Sequence, residues 1–281
     1  MTEHSMAPTI DDLTPIEKTL LVTLTARAHD ARAEKPILGD RLADTVLDRL
    51  GPSAEIVKPS GTVQLASALR SKMLDRLVTE FIAAHPHAVI VELGCGLETR
   101  MHRIDPPATV DWYDVDFDRV IQLRRHVIPE LQRAHLIAAS LTDPHWLHNV
   151  PRGRPAIVVA DGVIGFLTEA DTRTVMHAIT DHFTAGGELA VVAYACITAR
   201  LMGSVKVLRS VGIPRDYRGW GFDDPRTLER LNPALTFIEE QFGAQAPEVD
   251  QLGWPTRLLA RVFARWRAQA RRGVWILRYR F

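Results

Sequence analysis

The sequence predicts an α/β fold: a mostly parallel, doubly wound sheet whose last strand runs antiparallel, with a layer of helices ahead of it. Three observations carry this. Apolar runs at 88–93, 110–115, 135–139, 156–160 and 188–194 alternate with helical patterns at about 117–128 and 169–184, and such alternation implies parallel strands joined by right-handed crossovers. The first run, bounded by Pro86, passes from Ala88 through Glu92 and Leu93 into Gly94-Cys95-Gly96, the pattern of a buried parallel strand that ends in a tight turn. Finally, residues 14–84 read as helices before any strand begins.

In chain order, residues 1–13 are polar and read as a disordered tail. Residues 14–281 read as one domain: a helical lid over 14–84, then a Rossmann-like core over 85–281 with a substrate-covering insertion near 197–232. Thr14-Pro15-Ile16-Glu17 is a helix start, with Thr14 as cap and Glu17 three residues on, and the helix continues to Ala31. Asp40–Leu50 is a second helix, closed by Gly51-Pro52. Gln64–Ala84 is a third, with Leu65, Leu69, Met73, Leu77 and Phe81 at intervals of four. Thr168-Glu169-Ala170-Asp171 opens the helix that Gly186-Gly187 ends. Beyond the fifth strand, Ile197–Val211 reads as helix, Pro214–Asp224 as loop and Pro225–Leu231 as a short helix. Leu235–Phe242 and Val274–Phe281 read as strands framing a helix over 255–272. A sheet that closes on an antiparallel hairpin with a long connection resembles that of class I methyltransferases.

Composition excludes several classes. Lysine plus arginine equals 34 and so does aspartate plus glutamate, giving a formal net charge of zero, so no global field draws nucleic acid. Arg257, Arg261, Arg265, Arg267, Arg271 and Arg272 make the C-terminal stretch locally basic, which reads as a solvated helix face. Two cysteines make no disulfide framework. The N-terminus lacks the pattern of a secretory leader, and no apolar stretch reaches the roughly 20 residues of a membrane span. The expectation is a cytoplasmic protein without nucleic-acid or membrane partners; nothing indicates its oligomeric state. His145/His148 and His85/His87 are the close histidine pairs, and neither has a third ligand at zinc spacing, so no metal site is expected.

The glycine turn lets a ligand approach the backbone without meeting a Cβ, and open α/β sheets bind nucleotides at such a strand end. Asp116 lies 20 residues after Gly96 at the end of the second strand, close to the spacing at which a carboxylate meets ribose hydroxyls. Asp114 competes, because strand alternation puts both acids on one face. A nicotinamide site wants a third glycine where Thr99 stands. Glu92 instead suits the cationic end of S-adenosylmethionine. By this reading Glu92, Gly94, Cys95 and Gly96 surround the methionine end of that cofactor.

Leu93-Gly94-Cys95-Gly96-Leu97-Glu98-Thr99-Arg100 resembles the Leu-Gly-x-Gly-Leu-Asp-Thr-Arg signature of the leucine carboxyl methyltransferase family, and the chain is most similar to its bacterial, polyketide O-methyltransferase branch. Trp112–Asp116 with Ile121–Arg124, Ser140-Leu141 with Trp146-Leu147, and Ala160–Leu167 resemble further family motifs, so the resemblance spans about residues 15–281. It implies S-adenosylmethionine as cofactor, Ser140 and Leu141 beside its adenine, and Asp161 at the end of the fourth strand facing the site. Arg70-Ser71-Lys72-Met73-Leu74-Asp75 resembles a family segment whose arginine reaches the cofactor carboxylate; Arg100, Lys18 and Arg27 are weaker candidates of that kind. Asp161 stands where the family has glutamate, and Phe166 where it has tyrosine. The implied function is S-adenosylmethionine-dependent O-methylation of a small-molecule carboxylate or hydroxyl, possibly polyketide-like, in secondary metabolism. The alternatives are methylation of a protein C-terminal carboxylate, or cofactor binding without transfer. His102, Tyr194 and Tyr217 are candidate bases, and the sequence does not choose among them.

Overall fold

The computed structural model describes residues 8–54 and 56–281. Seven strands form one sheet: β1 (Val89–Leu93), β2 (Asp111–Asp116), β3 (Ala134–Ala138), β4 (Ala156–Ala160), β5 (Gly187–Val192), β6 (Thr236–Phe242) and β7 (Trp275–Arg280), in the order β3-β2-β1-β4-β5-β7-β6. The first five are parallel, and β7 runs antiparallel to both β5 and β6. The chain reverses direction in the sheet between β3 and β4. The C-terminal ends of β1, β2 and β4 therefore open a crevice, the place where this topology binds ligands.

Helices α1 (Leu20–Ala31), α2 (Arg41–Leu50) and α3 (Gly61–Ala84) precede the sheet. Their starts follow from capping. Thr14 and Glu17 exchange backbone-to-side-chain bonds at 2.7 and 3.3 Å at the turn that leads through a 3-10 segment, Glu17–Thr19, into α1, Asp40 accepts from Ala43 N at 3.1 Å, and Ser60 caps α3. The remaining helices are α4 (Arg100–Ile104), α5 (Asp118–Val127), α6 (Glu169–His182), α7 (Cys196–Arg200), α8 (Lys206–Ser210), α9 (Thr227–Leu231), α10 (Trp254–Phe263) and α11 (Arg267–Ala270). Thr168 and Asp171 form a capping box at the start of α6.

Alternate residues of the central strands feed opposite faces of the sheet. Val89, Val91 and Leu93 join α6 residues such as Val175 and Ile179 on one face. Ile90, Trp112, Ile157 and Val159 meet Leu69, Met73, Leu77 and Phe81 of α3 on the other. The C-terminal part of α3 is thus a layer of the sandwich, while α1, α2 and α5 share a third apolar cluster above it.

Several expectations are corrected. Residues 8–13, read as part of a disordered tail, form a 3-10 turn at Ile10–Asp12 that buries Ile10 and Leu13; residues 1–7 lie outside the described ones. The stretch 197–211 is not one helix but α7, a turn at Met202–Ser204, and α8. The break has a cause: the Gly203 N–H bonds to Tyr217 O at 3.2 Å, and a Cβ on Gly203 would fall within 2.7 Å of three carbonyls of the 214–217 loop. The helix expected over 255–272 is interrupted where Trp266 turns extended. Helix α4, absent from the sequence reading, caps the glycine turn.

Candidate functional site

A cavity of about 410 Å³ lies over the C-terminal ends of β1, β2 and β4. Its floor is the glycine turn. Gly94 and Gly96 take φ of +60° and +48°, left-handed values that side chains rarely adopt. A Cβ on Gly94 would also come within 2.6 Å of a Val163 methyl, itself part of the cavity wall. The Gly96 N–H donates to Asp116 Oδ2 at 2.7 Å and the Phe117 N–H to Asp116 Oδ1 at 2.8 Å. These bonds aim the Asp116 carboxylate into the cavity, and burial pushes its pKa up to about 6 against their pull.

Asp114 is placed otherwise. It is buried, pairs with Arg124 at 2.6 Å, and is not part of the cavity lining. Arg124 in turn donates to Glu98 O at 2.6 Å and Gly96 O at 3.2 Å, so the pair braces the glycine turn from behind.

Glu92, Gly94, Cys95, Gly96, Asp161, Ser140, Leu141 and Arg70 all line the cavity. Burial raises the Glu92 carboxyl to about 7, against the attraction of Arg100, to which it is directly bonded. Burial also keeps the Cys95 thiol neutral. Arg70 reaches from α3 to Asp161, with Nε 2.6 Å from Oδ1. The N–H is not aimed at that oxygen, so both buried atoms lack a hydrogen-bond partner. Of the other arginines considered, Arg100 and Arg27 lie beneath the floor rather than in the lining, and Lys18 is directed to Asp11 O at 3.5 Å.

Beneath the floor lies a charge network that the sequence reading missed. Arg100 donates to Asp75 at 2.8 Å, to Glu92, and to Asp161 at 3.4 Å. Arg103, one turn on, reaches Glu98 at 2.6 Å, Asp40 at 2.8 Å and Asp75 at 2.8 and 2.9 Å. Arg27 of α1 joins Asp40, Thr99 and Leu97 O. Burial alone would raise Glu98, but Arg103, Arg27 and Arg100 hold it well below the usual carboxylate range. The network ties α1, α2 and α3 to the glycine turn. Arg100 and Arg103 stand three apart just after the turn, a helical spacing that was the available signal.

Among the candidate bases, His102 and Tyr217 are not in the cavity lining: His102 bonds to Pro129 O at 3.0 Å, and Tyr217 packs on Phe166. Tyr194, just past β5, does line it, and burial raises its pKa, so it stays protonated. Its ring lies against Gly165, where a Cβ would come within 2.9 Å of it. Tyr194 Oη and Arg70 Nη2 both approach the position of a Cβ on Gly162, at 3.6 and 3.9 Å. The outer wall comes from Thr198, Met202, Val205, Val207 and Leu208 of the 197–232 segment, and from Leu20, Val22 and Thr23 of α1. Among the described residues, no cluster of three or more His, Cys, Asp or Glu side chains could hold a metal.

Comparison with known proteins agrees with this geometry. The family model for leucine carboxyl methyltransferase matches residues 20–180. The chain is 36% identical over 270 residues to the tetracenomycin polyketide synthesis O-methyltransferase TcmP of Streptomyces glaucescens, covering 89% of this chain and 98% of that one. It is 33% identical over 271 residues to the S-adenosyl-L-methionine-dependent methyltransferase dpfgK of Gibberella zeae, covering 89% and 90%. A crystal structure of a putative methyltransferase from Thermobifida fusca superposes with a TM-score of 0.54 at 18% identity, covering 91% and 93% of the two chains, which shows the shared fold. The chain belongs to the leucine carboxyl methyltransferase family.

Proposed function

We propose that this cavity binds S-adenosylmethionine and that the protein transfers its methyl group to an oxygen of a small-molecule acceptor, a carboxylate or hydroxyl of the kind polyketide tailoring supplies. Family membership makes the chain an S-adenosylmethionine-dependent methyltransferase, and the two relatives named for such chemistry match it almost end to end. The observation that carries the reading is the charge of the lining: Glu17, Glu92, Glu98, Asp116 and Asp161 face the cavity with Arg70 as the one arginine among them. Arg100, Arg103 and Arg27 answer Glu92 and Glu98 from beneath, so the excess that favours a cationic ligand comes from Glu17, Asp116 and Asp161 set against Arg70. The residues fit the cofactor. Arg70 Nε and Asp161 Oδ1 await partners that a ligand's carboxylate and ammonium would provide. Asp116 would hold the ribose, Ser140 and Leu141 would flank the adenine with Phe117, and the Gly94–Gly96 backbone would pass beneath the methionine end.

When bound, the sulfonium supplies an activated methyl group for in-line displacement. The chain supplies alignment, which is worth up to roughly 7–11 kcal/mol, and the apolar wall of α1, α7 and α8 keeps water from the acceptor. Tyr194, held protonated, would offer a hydrogen-bond donor to the acceptor. A carboxylate acceptor needs no base. Helix α1 and the N-terminal half of α3 act as the lid, while α2 and the rest of α3 do not reach the cavity. We place the protein in the cytoplasm, a reading that two unpaired cysteines, one buried and one exposed, support.

The test is label transfer from methyl-labelled S-adenosylmethionine to a panel of aromatic polyketide carboxylic acids and phenols. Label should appear in the organic-extractable fraction, base-labile if the product is an ester and base-stable if an ether. Label in polypeptide alone would assign the protein-carboxylate activity instead, and binding without turnover would reduce the chain to a cofactor binder. Tyr194→Phe should lower kcat/KM about tenfold, the worth of one hydrogen bond, and leave cofactor affinity nearly unchanged.

A further inference from the structure

The arginine-rich segment after β6 carries more than the solvated basic face that its sequence suggests: most of its arginines are exposed, and an apolar stripe lies exposed beside them. Helix α10 has no buried residue. Trp254, Leu258 and Val262 stand at intervals of four, with Leu259 and Phe263 beside them, so they form one stripe. That stripe points outward: Trp254 is 71% exposed, Leu258 55% and Leu259 62%, and Trp266, just past the helix, 61%. The side turned to the body carries the small Ala260. Arg257, Arg261 and Arg265 run along one edge of the stripe, again at intervals of four.

The charge around this stripe is one-signed. From Gln251 to Phe281 the chain holds eight arginines and no aspartate or glutamate. Arg267 and Arg271 are answered by Glu240, and Arg278 by Glu188 and Glu239. Along the stripe itself the only acid in contact among the described residues is the exposed Asp250, which meets Arg261 at 2.9 Å. Arg257 has only a backbone contact, at 3.4 Å to Asp250 O, and Arg265 has no acidic partner among the described residues. An isologous contact with a second copy would set two such arginine edges into one interface with little to answer them. The stripe is the outward side of a helix, so a protein partner would have to bring a groove to it. A bilayer surface receives a lone amphipathic helix without one.

We propose that α10 and Trp266 form a docking surface for an anionic lipid membrane. The indoles, leucines and Phe263 enter the boundary between headgroups and acyl chains, while Arg257, Arg261 and Arg265 meet the lipid phosphates. Among the described residues no helix is long and apolar enough to cross a membrane, so the proposed contact is peripheral. It lies at the same edge of the sheet as the cavity. Phe242 and Trp275 pair where β6 ends and β7 begins, beside the C-terminal end of β5, and Thr198 of the cavity wall bonds to Arg272 O at 3.4 Å. The surface therefore brings an apolar acceptor held in a bilayer to the same edge of the sheet as the cavity.

The test is co-sedimentation of the full chain with phosphatidylcholine vesicles, with and without about 30% phosphatidylglycerol, at about 0.1 M salt. The protein should pellet with the anionic vesicles and stay in solution with the neutral ones, and its tryptophan emission should shift to the blue. Leu259→Glu with Phe263→Glu should abolish pelleting. Each of Arg257→Gln, Arg261→Gln and Arg265→Gln should weaken it about fivefold. None of these residues lines the cavity, so S-adenosylhomocysteine affinity should be unchanged in every variant, and that measurement separates this proposal from the methyl-transfer reading. Absence of pelleting by a wild-type protein that still binds S-adenosylhomocysteine would overturn the proposal. So would a concentration-dependent dimer that Leu259→Glu dissolves, which would assign the face to a second copy.

Discussion

Replacing Asp116 by asparagine separates affinity from stability in this site. The carboxylate accepts one backbone N–H on each oxygen, from Gly96 and Phe117. Asparagine can accept only one of them, which costs about 1–3 kcal/mol for the donor left over. Against this, the wild-type acid is held in the fold with its pKa raised from 3.8 to about 6. An acid whose folded pKa is raised contributes its full stability below the unfolded value, and that contribution is lost as pH rises through the folded one. Discounted for the part of the group open to the cavity, the loss by pH 8 is on the order of 2 kcal/mol. Asparagine escapes this loss, so at pH 8 the two effects nearly cancel and the melting temperature of Asp116→Asn should stay close to wild type. Between about pH 4 and 6 the wild type should lose stability relative to the variant as pH rises. Affinity behaves differently. Hydrogen bonds from ribose to a charged acceptor are worth roughly 1.5–3 kcal/mol, so Asp116→Asn should bind S-adenosylhomocysteine about 10- to 150-fold more weakly. Wild-type affinity should fall as pH drops through about 6, where the carboxylate of the free protein protonates, and the variant should not follow it. Titration calorimetry from pH 5 to 8, as rough bounds, with thermal unfolding in parallel, measures both quantities. Asp114→Asn is the control: it breaks the buried pair with Arg124 and should cost about 3 kcal/mol of stability, with any affinity loss tracking that destabilisation. A stable Asp116→Asn protein of normal affinity, beside an Asp114→Asn protein that has lost the cofactor, would refute this reasoning.

Arg100→Met leaves Glu92, Asp75 and Asp161 without the cation they share; it should destabilise by about 3–5 kcal/mol and lower Tm by roughly 6–20 °C, and an unchanged melting curve would show that the network adds nothing. Gly94→Ala meets both a left-handed φ and the Val163 methyl; it should cost about 1–3 kcal/mol and weaken S-adenosylhomocysteine, whereas normal binding in calorimetry would mean the turn tolerates a Cβ. Ile10→Ser places a hydroxyl in the cluster shared by α1, α2 and α5; chemical denaturation should show a loss of about 2–4 kcal/mol, and a loss below about 0.5 kcal/mol would return these residues to the role of a dispensable tail.

What the sequence determined by itself is what local chemistry determines. Apolar runs, helix caps at Thr14, Asp40 and Thr168, and the Gly94–Gly96 turn each depend on neighbours a few residues away. They place the strands within a residue or two and the cavity at the right edge of the sheet. Asp116 was legible because its distance from the turn is set by the length of one strand–helix–strand unit. The choice between Asp116 and Asp114 was not, since alternation puts both on one face, and only the packing of α5 brings Arg124 onto Asp114. The same holds for Arg100: Asp75 and Asp161 come to it from 25 residues upstream and 61 downstream. The outward face of α10 was hidden for a related reason. Periodicity shows that an apolar stripe exists, but only the orientation of the helix on the body of the protein decides whether that stripe faces the core or the solvent. A group's burial and its charge partners are properties of chain segments brought together in space, and sequence spacing carries no record of which segments those are.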